Sequence, residues 1–251
     1  MTRSQTRMLA DHRRAFVWSL ILLAACVASL FAIGRHPPQD APLTTVPFIG
    51  RFDESVYHWV DDIRNAPLTW LSRALNVIGG GLVTIPLRIG VTAFLLFRRR
   101  WLRAGAFATT WLLSEVALTW LKAYFHRGRP PFPLVATAGT FSFPSGHAVA
   151  GAATGVALVL ALLPAGPRRR HWEWLAIGFA FVMALSRVYL AAHWFSDTVA
   201  GTLLGAGIAI FVAATATEIR DIVFREEGKP IPPDPTAPEA GEPFSGDPAR
   251  R

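Results

Sequence analysis

Six side chains are spaced so as to suit chemistry on an anion: Lys122, Arg129 and Arg187 as cations, His147 and His193 as imidazoles, and Asp197 as a carboxylate. One compact ammonium and two planar guanidinium forks match the tetrahedral oxygens of a phosphate group. Pro144, Ser145 and Gly146 open an apolar run, where a helix start leaves backbone N–H groups unpaired and the positive end of the helix dipole adds to the donors. Taken singly, these features have plainer readings: arginines snorkelling at an interface and an ordinary helix start. Asp197 follows His193 by four residues, so a helix running through both stacks them on one face within hydrogen-bond reach. A carboxylate on one imidazole nitrogen fixes the tautomer and leaves the other nitrogen basic and aimed. Attack by His193 on phosphorus then makes a phosphohistidine, and His147 donates a proton to the departing alkoxide. The cations spread the charge of the transferring phosphoryl group without a metal. A plain surface His–Asp pair and a metal site compete for the same residues. Against the metal, His12, His36, His58, His126 and His171 are scattered along the chain, and three nearby cations repel a divalent ion.

These groups are distant in sequence, so helices must bring them together. The chain has 251 residues, 52% hydrophobic and only 17% charged, too apolar for disorder and unusual for a soluble domain. Apolar segments at about Phe16 to Ile33, Ile78 to Phe97, Trp101 to Leu121, Ala148 to Leu163, Trp174 to Leu190 and Thr198 to Ala214 predict six transmembrane spans. The fold class is therefore all-α, a six-span bundle formed by residues 1–225. Residues Arg35 to Asn76, rich in proline and aromatics, form a short interfacial segment on the outer leaflet. Residues 226–251 carry seven prolines and six acidic groups and are expected to be a disordered tail.

Charge distribution orients the bundle. The 25 basic and 17 acidic residues leave +8, and the excess clusters at Arg3, Arg7, Arg13 and Arg14, at Arg98 to Arg100 with Arg103, and at Arg168 to Arg170. Alternating spans place all three clusters on one side, which the positive-inside rule makes the cytoplasm, with both termini. Basic charge is thus a topology signal, and nothing in the chain calls for nucleic acid. A single cysteine, Cys26, excludes a disulfide framework within the chain and a cysteine-rich zinc module. The basic leader and first span could form a cleaved signal or lipoprotein segment, but the apolar run continuing through Val27 to Ile33 favours an anchor. The chemistry-bearing clusters fall on the outer side. Arg88 and Glu115, at similar depth in neighbouring spans, are expected to form a structural ion pair.

The three clusters also match a family. Lys122 with Arg129-Pro130 fits KxxxxxxRP, Pro144-Ser145-Gly146-His147 fits PSGH, and Ser186-Arg187 with His193 and Asp197 fits SRxxxxxHxxxD. Over roughly residues 48 to 215 the chain resembles the type 2 phosphatidic acid phosphatase superfamily. The resemblance implies that Lys122, Arg129, Ser145, Gly146 and Arg187 hold the phosphate, His193 is the nucleophile, Asp197 orients it and His147 is the general acid, with no cofactor. It implies an enzyme at the outer face of a bacterial inner membrane acting on a lipid phosphate such as undecaprenyl diphosphate, phosphatidic acid or phosphatidylglycerol phosphate. Some relatives transfer the phosphoryl group to another acceptor. Vanadium haloperoxidases share the pocket but are soluble, and a lipid-phosphate transporter or receptor would need the cations without the His–Asp pair.

Overall fold

The structure, a computed structural model, describes residues 15–29, 47–135, 141–163 and 167–226. Among these residues all regular structure is helical. The helices are α1 (Ala15–Ser29), α2 (Pro47–Asp62), α3 (Ala66–Gly79), α4 (Gly81–Phe97), α5 (Trp101–Phe125), α6 (Gly146–Leu162), α7 (Pro167–Tyr189) and α8 (Phe195–Glu226).

Helix α6 is the hub, in contact with α3, α4, α5, α7 and α8. Its sequence GHAVAGAATGVALVLAL is nearly all small, and Ala148, Val149, Gly151, Ala152, Ala153 and Ala157 are buried. Small side chains let backbones approach, which is how helices associate where no hydrophobic drive separates them from lipid. Helix α8 answers with Gly201 and Gly205, four residues apart. A Cβ on Gly205 would stand 2.4 Å from the Val149 carbonyl oxygen, and one on Gly201 2.8 Å from that of Ser145. Both glycines are therefore required by close approach, and the α6–α8 seam fixes the start of one helix against the start of the other.

Local signals set the ends near the site. Asn65 caps α3 by accepting the Leu68 N–H at 2.9 Å. At the end of α5, His126 adopts a left-handed φ of 49° and its N–H bonds the Lys122 carbonyl at 3.3 Å, turning the chain into Arg127–Arg129. Ala191, with φ of 51°, reverses the chain between α7 and α8.

Several expectations need correction. The segment before Asn76 is mostly helical: Pro47 opens α2 and Pro67 sits in the first turn of α3, where proline forfeits no needed N–H, so these prolines start helices instead of breaking them. The segment expected as the second span, Ile78 to Phe97, is largely α4, and α3 precedes it with a bend of 41° at Gly80. Helix α8 runs past Ala214 to Glu226. The rest of the expected tail, and the N-terminal arginines, lie outside the described residues. Among the described helices, α8 alone is long and apolar enough to cross a membrane by itself, and the bent α3–α4 pair passes jointly. Helices α5 and α7, of 25 and 23 residues, reach about 37 and 34 Å but carry charged residues at their ends.

The Arg88–Glu115 pair forms at 2.8 Å, with Arg88 also donating to the Thr154 hydroxyl at 2.9 Å. Arg88 is buried, whereas the Glu115 side chain is 48% exposed, so the pair seals one helix face and is only half interior.

Candidate active site

The ends of α5, α6, α7 and α8 meet at one mouth, and all eight expected site residues stand there. Lys122 closes α5 and points its ammonium toward the Phe141 carbonyl at 3.5 Å. Arg129, four residues beyond the helix, donates from Nη1 to the Ala192 carbonyl at 2.6 Å and faces His193 Nε2 at 3.3 Å. Ser145 is the N-cap residue of α6, yet its hydroxyl makes no cap bond and, fully buried, has no partner among the described residues. Buried Arg187 donates from Nη1 to the Asn76 side-chain oxygen, while its Nε is unpaired. Buried donors without partners are costly, so this cradle fits an anion that brings acceptor oxygens.

The imidazole tautomers follow from what their neighbours can do. His193 Nδ1 lies 2.6 Å from the Ser142 carbonyl oxygen, which only accepts, so Nδ1 carries the hydrogen. The guanidinium of Arg129 only donates, so Nε2 presents its lone pair to the cations. Burial pushes the imidazole down to about 4, against the opposing pull of Asp197, and keeps it neutral and nucleophilic. His147 Nε2 stands 3.1 Å from the Asn76 carbonyl oxygen and so also carries its hydrogen. It lies within electrostatic reach of Arg187, His193 and Lys122.

The His193–Asp197 relationship differs from the expected helix-face pair. Helix α8 begins at Phe195, so His193 sits in the turn before it, and Nδ1 is 3.8 Å from Asp197 Oδ2, beyond hydrogen-bond range. Orientation of the ring falls to the Ser142 carbonyl. Asp197 instead occupies the third position of the first turn and accepts the Trp194 N–H at 2.9 Å, the backward half of a capping box. Its other oxygen accepts Arg127 Nη1 at 2.5 Å.

Three residues were missed from sequence. Arg127 is buried and paired with both Asp197 and Asp53, and against the cost of burial these carboxylates hold its guanidinium above its ordinary range. Asp53 was detectable: it interrupts the stripe Ile49, Val56 and Val60 on the inward face of α2. Asn76, which touches Arg187 and His147 together, carried no sequence signal.

Residues 103–221 match the family described as PAP2 superfamily. The chain is 29% identical over 161 residues to phosphatidylglycerophosphatase B of Bacillus subtilis, covering 61% of this chain and 77% of that protein. It is 31% identical over 167 residues to undecaprenyl-diphosphatase of Sulfolobus acidocaldarius, covering 63% and 75%. The crystal structure of a transmembrane PAP2 type phosphatidylglycerolphosphate phosphatase from Bacillus subtilis superposes with a TM-score of 0.56 at 25% identity, over 83% of this chain and 96% of that one.

Proposed function

This chain belongs to the PAP2 superfamily, and on that premise we propose that it is an integral-membrane phosphatase releasing a terminal phosphate or diphosphate from a lipid through a phosphohistidine, without a metal. The observation that carries the reading is the neutral His193, its Nε2 lone pair 3.3 Å from Arg129 and its Nδ1 hydrogen spent on the Ser142 carbonyl. Around it, Lys122, Arg129, Arg187, the Ser145 hydroxyl and the Gly146 end of α6 bind the phosphate oxygens.

In the first step His193 Nε2 forms a bond to phosphorus and the bond to the leaving oxygen breaks, with a proton passing to that oxygen from His147 in its protonated, imidazolium form, which leaves His147 neutral. Asp197 stabilises the phosphorylated, cationic ring electrostatically. In the second step neutral His147 takes a proton from water as it attacks phosphorus, which returns His193 and releases phosphate. A lipid alcohol in place of that water would make the enzyme a phosphotransferase.

Six crossings of a bacterial inner membrane with the site at the outer face are part of the proposal. Arg103 and Lys122 mark opposite ends of α5, and Arg168 and Arg187 opposite ends of α7; each pair is separated by about 28 Å of helix, close to the thickness of a hydrocarbon core. The arginine clusters and the site thus lie at opposite surfaces, which supports cytoplasmic arginines and an outward pocket. A mouth at headgroup depth, with exposed Trp59 and Trp70 on α2 and α3 in the interfacial segment, favours an amphiphile over a soluble ester. The relatives' names support undecaprenyl diphosphate and phosphatidylglycerol phosphate as candidate substrates, and the family resemblance adds phosphatidic acid.

The test is phosphate release by the full chain in detergent with EDTA, across those three lipids and a soluble phosphate ester, with His193→Ala beside it. Release from a lipid that persists in EDTA and vanishes in the variant is expected. Lipid binding without release, equal in both proteins, would overturn the phosphatase reading in favour of transport.

A further inference from the structure

Behind His193 runs a buried chain of ionised groups that ends on α2, outside every motif. Arg127 Nη1 donates to Asp197 Oδ1 at 2.5 Å, and Nη2 donates to Asp53 Oδ2 at 2.6 Å. Ser196 bridges them: its hydroxyl accepts from Arg127 Nη1 at 2.7 Å and donates to Asp53 Oδ2 at 2.6 Å, and its N–H donates to Asp53 Oδ1 at 2.9 Å. The side chains of Asp53, Arg127 and Asp197 are all 3% exposed or less. The guanidinium also lies over the Trp194 ring, whose Nε1 is tied to the Gly128 carbonyl.

Charge counting shows why a second acid matters. Arg127 alone would cancel Asp197, leaving nothing to balance the positive charge that forms on His193 when Nε2 takes a proton or a phosphoryl group. With Asp53 the trio carries one net negative charge, held against the imidazole. Asp53 also splits the guanidinium between two carboxylates and caps the first turn of α8 through Ser196, which fixes the His193–Trp194 turn. We infer that Asp53, acting through Arg127, is a positioning residue that sets both the place and the effective charge of Asp197 behind the nucleophile. This rests on the histidine reading above, and neither Asp53 nor Arg127 touches the phosphate cradle.

The charged and titratable groups facing the imidazole are Lys122 at the end of α5, Arg129 after it, His147 at the start of α6, Arg187 at the end of α7 and Asp197 in α8. None of them is altered in the test. Full-length protein labelled with 15N-histidine, in detergent, is titrated by NMR, the His193 signal being assigned by its loss in His193→Gln. Asp53→Asn removes the surplus negative charge and is expected to weaken His193 proton binding about tenfold; Arg127→Gln unmasks both acids and strengthens it by a similar factor. Phosphate release from short-chain phosphatidic acid is measured on the same samples. Asp53→Asn lowers kcat at least about tenfold per folded molecule with KM unchanged, and Asp53→Glu restores most of it.

Shifts in the same direction, or no shift in folded Asp53→Asn protein, would overturn the inference, because a strut between α2 and α8 would alter stability alone. If Arg127→Gln fails to accumulate, the Asn and Glu variants at position 53 decide by themselves: only the Glu variant retains the wild-type titration. Opposite shifts combined with no release by wild type would leave the coupling standing and count against the phosphatase reading.

Discussion

Adding one methyl group at Gly205 should disable the site from about two helical turns away. The new Cβ would lie 2.4 Å from the Val149 carbonyl oxygen, 2.9 Å from the Ala153 nitrogen and 3.2 Å from the Ala152 Cβ, where ordinary contact begins at 3.4 Å. Two of these are backbone atoms of α6, so no side chain can swing away, and α6 and α8 must part by about 1 Å. Helix α6 carries Ser145, Gly146 and His147, while α8 carries Asp197 and follows directly on His193. The two starts are joined by the Ser145 N–H to Asp197 carbonyl bond at 3.1 Å, which such a shift stretches out of range. A displacement of about 1 Å between nucleophile and cradle costs on the order of 100-fold in kcat/KM, and overpacking costs about 1–3 kcal/mol of stability. The control is Gly105→Ala on α5, where nothing stands within 4 Å and helix propensity should give a neutral or slightly more stable protein. Phosphate release per folded molecule and thermal unfolding in detergent measure both effects. A Gly205→Ala protein that folds and turns over like Gly105→Ala would refute the close-approach argument.

Other predictions follow from the same geometry. Neutral His193 and protonated His147 are both required, and burial holds both imidazoles at about 4, so kcat/KM, corrected for ionisation of the substrate, rises as pH falls through about 6.5 and turns down only near 4. An acid limb centred at the ordinary imidazole value would contradict the burial of the ring. Arg187→Lys keeps the charge but loses the fork that reaches both Asn76 and the pocket; phosphate-release kinetics should show kcat/KM down by roughly 10- to 100-fold. Arg88→Leu strips the Glu115 and Thr154 contacts and should reduce yield and melting temperature while leaving turnover of the surviving protein intact. The loss stays below the roughly 3–5 kcal/mol of a fully buried pair because Glu115 is half exposed. Normal yield with lost turnover would instead put Arg88 in the catalytic machinery.

The cluster proposed to hold phosphate was legible in the sequence because cations and a helix start are written as residue types at fixed spacing. Lys122, Arg129, Ser145, Arg187 and both histidines reach one mouth as expected. The longer His193–Asp197 approach, 3.8 Å, has a physical source: an i, i+4 spacing brings two side chains to hydrogen-bond reach only inside a helix, and α8 starts two residues after His193. The group that does orient the ring, the Ser142 carbonyl, carries no side-chain signature. Arg127 escaped because its meaning is a pairing across α2 and the α5–α6 connection, which single-chain periodicity cannot register, whereas Asp53 left a trace as the break in the inward stripe of α2. The central place of α6 was readable in principle, since a run with seven alanines and glycines between residues 146 and 155 is too slender to cover a core and suits only contact on all sides.

The central claim is a covalent phosphoryl bond to His193 Nε2. Full-length protein is mixed in detergent, with EDTA present, with lipid substrate labelled on its terminal phosphate, quenched in alkali within the first turnovers and mapped by mass spectrometry. The account predicts an alkali-stable, acid-labile phosphoryl group on His193 in wild type, more of it in His147→Ala if acid–base assistance to its hydrolysis is lost, and none in His193→Ala. Phosphate release that continues in His193→Ala, or label found on any other residue, would contradict it.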